Sequence, residues 1–192
     1  MQTKILQANS PGSIEKAVKL LRGDNLVAFP TDTVYGLGAL AYNAGAIEKL
    51  YAAKGRETNK AIAVLVGNFD SLPIVTADMN NMASHLAHCF WPGPLTIVVS
   101  LHPVLPKNIS SYKTVGVRMP DHPMALDLLN QTGPLAVTSA NLSGQSNTST
   151  AAEVFTQLAG RIPLILDGGC TPGGDPSTII DCTGSEPVIL RQ

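Results

Sequence analysis

The chain has 192 residues, of which 44% are hydrophobic and 14% charged, and its formal net charge is -1. That balance excludes a disordered segment. It also excludes a partner gripped through bulk charge, so any RNA or tRNA contact would need a local basic patch. Cys89, Cys170 and Cys182 are odd in number and form no close pair, which argues against a disulfide framework and for a reducing compartment. The segment Met1–Leu6 lacks the apolar core of a signal peptide, and no apolar run approaches the ~18 residues of a membrane span, so a cytoplasmic protein without membrane contact is expected.

Apolar residues at helical spacing, Ile14, Ala17, Val18 and Leu21, predict a first helix to Arg22 that stops at Gly23-Asp24-Asn25. Leu26–Phe29 reads as a short buried strand, ended by Pro30, which has no ladder donor. The following Thr31-Asp32-Thr33-Val34-Tyr35-Gly36-Leu37-Gly38 reads as a polar turn, with Gly36 and Gly38 free to take positive φ. Polar groups at the carboxyl end of a strand are where open α/β sheets place ligands, although a plain Asx or Thr turn has the same local signature.

Asn43 is a cap for a second helix through Ile47, Leu50 and Tyr51 toward Lys54. Ile62–Val66 is a continuous apolar strand. A helix from about Asp78 to Phe90 follows, ended by Trp91-Pro92-Gly93-Pro94, and then the strand Leu95–Leu101. Val115–Arg118 is a strand, about His122 to Gln131 a helix, and Leu135–Thr138 another strand. Thr150 and Glu153 have capping-box spacing and open a helix to about Ala159. Short strands at Leu164–Leu166, Thr178–Asp181 and Val188–Leu190 close the chain. Elements alternate without a linker or repeat, which predicts one α/β domain over residues 1–192. The last strands have no helices between them, so the sheet should be mixed, parallel and antiparallel, with flanking helices.

Five polar clusters fall at element ends: Thr31-Asp32-Thr33; Lys54-Gly55-Arg56 with Lys60; Thr114 with Arg118; Ser139 to Gly144; and Asp167 to Ser177. Together they are cationic and hydroxyl-rich, with few acids and no histidine, which is the chemistry of an anion site. Singly they are weak. Lys54 and Arg56 also suit a helix carboxyl end, Arg118 suits an edge strand, and Ser139–Gly144 suits a turn. No Gly-Lys-Ser/Thr follows the glycines of Gly168–Gly174, which excludes a P-loop, and no Gly-x-Ser-x-Gly elbow occurs. His85, His88 and Cys89 share a helical face but lack a fourth ligand cluster, so no protein-held metal is assigned.

The motifs taken together resemble the YrdC/TsaC threonylcarbamoyl-AMP synthases in their short, single-domain form. The resemblance rests on Pro30–Leu37, Lys54-Gly55-Arg56, Trp91–Thr96, Val117–Pro120, Ser139–Gly144, Asp167-Gly168-Gly169 and Ser177–Asp181, in order over nearly the whole chain. Lys-x-Arg and Ser-x-Asn are both intact, unlike in the YciO-like sister group. Glu57 and Ala61 stand where the family often has proline.

The resemblance implies a YrdC-like domain whose twisted sheet carries an open cationic cleft. It implies a reaction of L-threonine, bicarbonate or carbon dioxide and ATP that yields threonylcarbamoyl-AMP and pyrophosphate. A downstream threonylcarbamoyl transferase complex would then modify tRNA. Carried over residue by residue, Thr33, Arg118 and Ser177 would hold threonine. Lys54 and Arg56 would be catalytic, facing the phosphates with Lys60. Thr114, Ser139, Asn141, Asn147 and Arg191 would position the nucleotide. Magnesium would be held mainly by the ATP phosphates. The rival readings are an RNA-binding module and an inactive regulatory relative using the same cleft; the chain offers the first no interleaving of basic and aromatic residues.

Overall fold

The computed structural model describes residues 1–172 and 174–192. The chain runs β1 (Lys4–Gln7), α1 (Ser13–Arg22), β2 (Val27–Phe29), β3 (Gly36–Leu40), α2 (Ala44–Lys54), β4 (Ala63–Leu65), β5 (Thr76–Asp78) and α3 (Asn81–Phe90). It continues through β6 (Leu95–Leu101), β7 (Thr114–Arg118), α4 (Pro123–Thr132), β8 (Leu135–Ser139), α5 (Ala151–Leu158), β9 (Leu164–Asp167), β10 (Thr178–Asp181) and β11 (Val188–Arg191). All the strands join one sheet in the order β1-β9-β2-β3-β8-β4-β7-β6-β10-β11, with β5 beside β6. The expected mixed sheet is present: β9 is parallel to β1 and β2, whereas β3 and β8 are antiparallel to their neighbours.

Local chemistry sets the element ends. The Asn43 side chain accepts from the Ala46 amide at 2.9 Å, and Gly55 closes α2 at φ 60°, a left-handed turn that aims the chain toward Arg56. Both halves of the Thr150–Glu153 capping box form. The third helix starts later than its periodicity suggests. Asn80 caps it, and Thr76–Asp78 before it pairs with β6 instead. The edge strand β1 was not legible because its residues are largely exposed and leave no period-two pattern.

The largest correction concerns Gly36 and Gly38. They lie inside β3, between β2 and β8, and neither takes positive φ. Their smallness serves close approach: a Cβ on Gly36 would stand 2.8 Å from Val137 Cγ1, and one on Gly38 2.8 Å from Phe29 Cε1. The polar turn is therefore Pro30–Tyr35, and the two glycines belong to the strand that follows it.

Alternation along the strands sends side chains to two buried clusters. Val27, Phe29, Leu65, Leu135, Leu164 and Leu166 pack with Ala17, Val18 and Leu21 of α1 and Ala125, Leu128 and Leu129 of α4. Ala28, Val64, Ile97, Val115, Val117, Ala136 and Ile165 face the other way, onto α2, α3 and α5. No residue of β6 or β7 joins the α1/α4 cluster, so the alternate positions Thr96, Gly116 and Arg118 lie on a face those helices leave uncovered. A cavity opens there.

Candidate functional site

A cavity of about 340 Å³ lies over this open face. Gly36, Ala63, Leu65, Val137 and Ile179 form its floor, and its polar wall includes Thr31, Thr33, Thr96, Thr138, Ser139 and Ser177 with Arg56, Arg118 and Arg191. Among the described residues that line it there is no carboxylate.

Arg118 anchors one end. It leaves the last position of β7, a strand internal to the sheet, and is buried. Its Nε donates to Gly93 O at 3.0 Å, Nη1 to Thr33 Oγ1 at 3.0 Å and Nη2 to Asp32 Oδ1 at 2.5 Å. A guanidinium has five N–H groups, so two have no partner among the described residues. Within the turn, Thr31 Oγ1 donates to Val34 O at 2.7 Å and lies 3.0 Å from Thr33 Oγ1. Asp32 Oδ2 and His122 Nδ1 are both buried without a partner among the described residues. Burial pushes the His122 imidazole below its ordinary value, against the opposing pull of the Asp32 and Asp121 charges. Behind the turn, the Tyr35 hydroxyl donates to Gly169 O at 2.7 Å, and burial, reinforced by the Asp167 charge, pushes its pKa up to about 12.

Arg56 marks the opposite end and is only half-buried. It donates to carbonyls of its own loop, Ala61 O at 3.0 Å and Lys60 O at 3.4 Å. Lys60 makes an exposed ion pair with Glu57 at 3.4 Å. Lys54 turns inward. Its ammonium donates to the carbonyls of Ser139 and Asn141 and, at 3.3 Å, to Asn141 Oδ1. Burial, with the Arg56 charge adding to it, pushes its pKa down to about 7, while the surrounding carbonyl oxygens favour the charged form. The Asn141 amide donates to Leu142 O at 3.0 Å and Gln145 O at 2.6 Å, so this side chain shapes the loop.

Of the residues expected at the site, Thr33, Arg56, Arg118, Ser139, Asn147, Ser177 and Arg191 come together on the cavity wall. Lys54, Lys60, Thr114 and Asn141 are not among the described lining residues. Arg191 donates through Nε and Nη2 to Ser177 O at 3.0 and 2.7 Å, tying β11 to the rim. Thr31, which belongs to the first polar cluster but has no role assigned from the sequence, also lines the wall, as do Thr96 and Thr138. Thr96 Oγ1 lies 2.8 Å from Ser177 Oγ because β6 and β10 pair in parallel with Thr96 opposite Ile179. That neighbour relation belongs to sheet order, which no local signal carries. Among the described residues no group of three or more His, Cys, Asp or Glu is disposed to hold a metal ion. No described helix is long and apolar enough to cross a membrane.

The Sua5/YciO/YrdC family model, described as telomere recombination, matches residues 19–192. A threonylcarbamoyl-AMP synthase of Bacillus subtilis is 43% identical over 192 residues, covering 98% of this chain and 55% of that protein. A threonylcarbamoyl-AMP synthase of Vibrio vulnificus is 35% identical over 184 residues, covering 94% of this chain and 98% of that one. The structure of Pyrococcus abyssi Sua5 complexed with L-threonine superposes with a TM-score of 0.95 at 39% identity, covering 98% of this chain and 57% of that one. The chain thus spans about half the length of the Bacillus and Pyrococcus proteins and nearly all of the Vibrio one.

Proposed function

Because the chain belongs to the Sua5/YciO/YrdC family, we propose that it is a threonylcarbamoyl-AMP synthase, joining L-threonine, bicarbonate or carbon dioxide and ATP. The observation that carries this reading is a single cavity with three arginines and a row of hydroxyls, its most buried arginine keeping two N–H groups free. Two parallel N–H donors are what a carboxylate accepts. In this reading Arg118 takes the threonine carboxylate, with Thr33 and Ser177 on the remaining polar groups. Arg56 and Lys60 neutralise the phosphates, and Ser139, Asn147, Thr114 and Arg191 position the nucleotide. Lys54 and Asn141 hold the Ser139–Asn141 loop in shape from behind.

The threonine amine captures carbon dioxide to give an N-carboxylate. One of its oxygens attacks the α-phosphorus of ATP in line, the bond to the β-phosphate bridge breaks, and pyrophosphate leaves. Such a step asks for positioning and neutralisation of charge more than covalent help, which suits a wall without an activated nucleophile. Magnesium, arriving with the triphosphate, would supply further neutralisation of charge. With no carboxylate among the described lining residues, we assign it no protein ligand. The mixed anhydride goes on to a threonylcarbamoyl transferase that modifies tRNA.

Incubation with labelled threonine, bicarbonate, ATP and magnesium should yield a labelled adenylate in step with pyrophosphate. Pyrophosphate release that is indifferent to threonine would overturn the reading.

A further inference from the structure

Thr31, Thr33 and Arg118 form a hydrogen-bond chain whose direction can be worked out proton by proton. Thr31 Oγ1 lies 2.7 Å from Val34 O, and a carbonyl oxygen only accepts, so the single Thr31 hydroxyl proton points there. Thr33 Oγ1, 3.0 Å from Thr31 Oγ1, must therefore donate to Thr31. The Thr33 amide, 3.2 Å away, takes the second lone pair of Thr31, which leaves Thr31 fully used. Arg118 Nη1, a donor only, occupies one lone pair of Thr33 at 3.0 Å. One lone pair of Thr33 remains, on a buried hydroxyl that lines the cavity.

We infer that Thr31 is a positioning residue that holds the Thr33 hydroxyl as an acceptor toward the ligand, so that Thr33 reads the α-nitrogen of the amino acid. This rests on the proposed threonine site. The argument for nitrogen over the β-hydroxyl is proximity and charge. Thr33 shares the guanidinium that takes the carboxylate, and the α-nitrogen is one bond nearer that carboxylate than the hydroxyl is. Asp32, on the same guanidinium, adds negative charge behind the turn. A hydroxyl free to rotate would accept or donate alike. One whose proton is held by Thr31 discriminates against an acceptor at that position.

The test is calorimetric titration with L-threonine and L-2-aminobutyrate, which keeps the amine and lacks the hydroxyl. Thr31→Val is expected to weaken both ligands by the same factor, about tenfold, as for one hydrogen bond to a charged group. Thr31→Ser, which restores the acceptor, should return both to within about twofold. An unchanged affinity in Thr31→Val, or a loss confined to threonine, overturns the inference, since the second would place the hydroxyl on Thr33. The wild-type protein supplies an independent arm that needs no variant to fold: 2-oxobutyrate, with an acceptor in place of the amine, should bind at least tenfold more weakly than 2-aminobutyrate. Equal binding of those two overturns the inference while leaving the threonine site standing. Failure of the wild-type protein to bind threonine at all overturns both.

Discussion

The two ends of the cavity differ in kind. Around Arg118 the geometry is set before a ligand arrives: the guanidinium, nearly out of solvent, holds Gly93, Thr33 and Asp32, and the turn hydroxyls point one way. Around Arg56 the charges are half-exposed. The arginine leans on two carbonyls of its own loop, and Lys60 rests on an exposed glutamate. A small amino acid offers few atoms, so recognising it requires geometry set in advance. A triphosphate brings enough charge to organise flexible cations around itself. The difference predicts that substitutions at the first end cost folding as well as binding, and that those at the second cost binding alone.

Arg118→Ala should have the largest effect. It leaves Asp32 buried with no counter-charge, so about 3–5 kcal/mol of folding stability should be lost along with threonine binding. Arg118→Lys should not restore binding, because one ammonium cannot serve three fixed acceptors and a carboxylate together. Urea unfolding and threonine calorimetry on the same samples check both halves. A stable Arg118→Ala protein would mean that the buried pair is dispensable to the fold.

Arg56→Ala should weaken ATP binding at least tenfold, about 1.5–3 kcal/mol for a charge-assisted contact, with stability unchanged within about 0.5 kcal/mol. Arg56→Lys should recover part of it. A drop in melting temperature matching the loss of binding would erase the contrast between the two ends.

Lys54 belongs to neither end, and its test is pH. A lysine whose folded pKa is pushed down to about 7 carries less proton in the folded chain than in the unfolded one from there up to its ordinary value. Stability should therefore rise with pH through that window, by at most about 1.4 kcal/mol per unit, and Lys54→Met should flatten the slope. Equal slopes in the two proteins would mean that the carbonyl oxygens of Ser139 and Asn141 outweigh burial and keep the ammonium charged.

Much of this was legible in the sequence where the cause is local. Asn43, Gly55 and the Thr150–Glu153 pair announce helix ends because capping is a matter between near neighbours. Seven of the expected site residues gather on the wall, Arg56, Arg118 and Ser139 among them because each sits at or just past the end of an element read from sequence. What escaped depends on strand order. Gly36 and Gly38 look like a turn until β8 is seen beside them, and Thr96 gains its meaning from β10, some eighty positions on. Lys54 looks like a phosphate ligand until the Ser139–Asn141 carbonyls are found around its ammonium.

Glu57 offers the finest test of the contrast. Its carboxylate meets Lys60 at 3.4 Å, with both side chains half-exposed or more, so the pair contributes little to folding and is open to salt. In the proposed reading the triphosphate competes with Glu57 for Lys60. Glu57→Gln should then tighten ATP binding by about two- to threefold at low ionic strength, with the melting temperature unmoved. At about 0.5 M salt most of that gain should be lost, because the screening length falls to about 4 Å, close to the 3.4 Å separation of the exposed pair. Threonine affinity should hold across the same salt range, since the Arg118–Asp32 pair lies out of solvent where mobile ions do not screen it. Salt that weakens threonine and ATP alike would show that both ends work through exposed charge. An Glu57→Gln gain that persists in high salt would assign the effect to the shape of the loop instead.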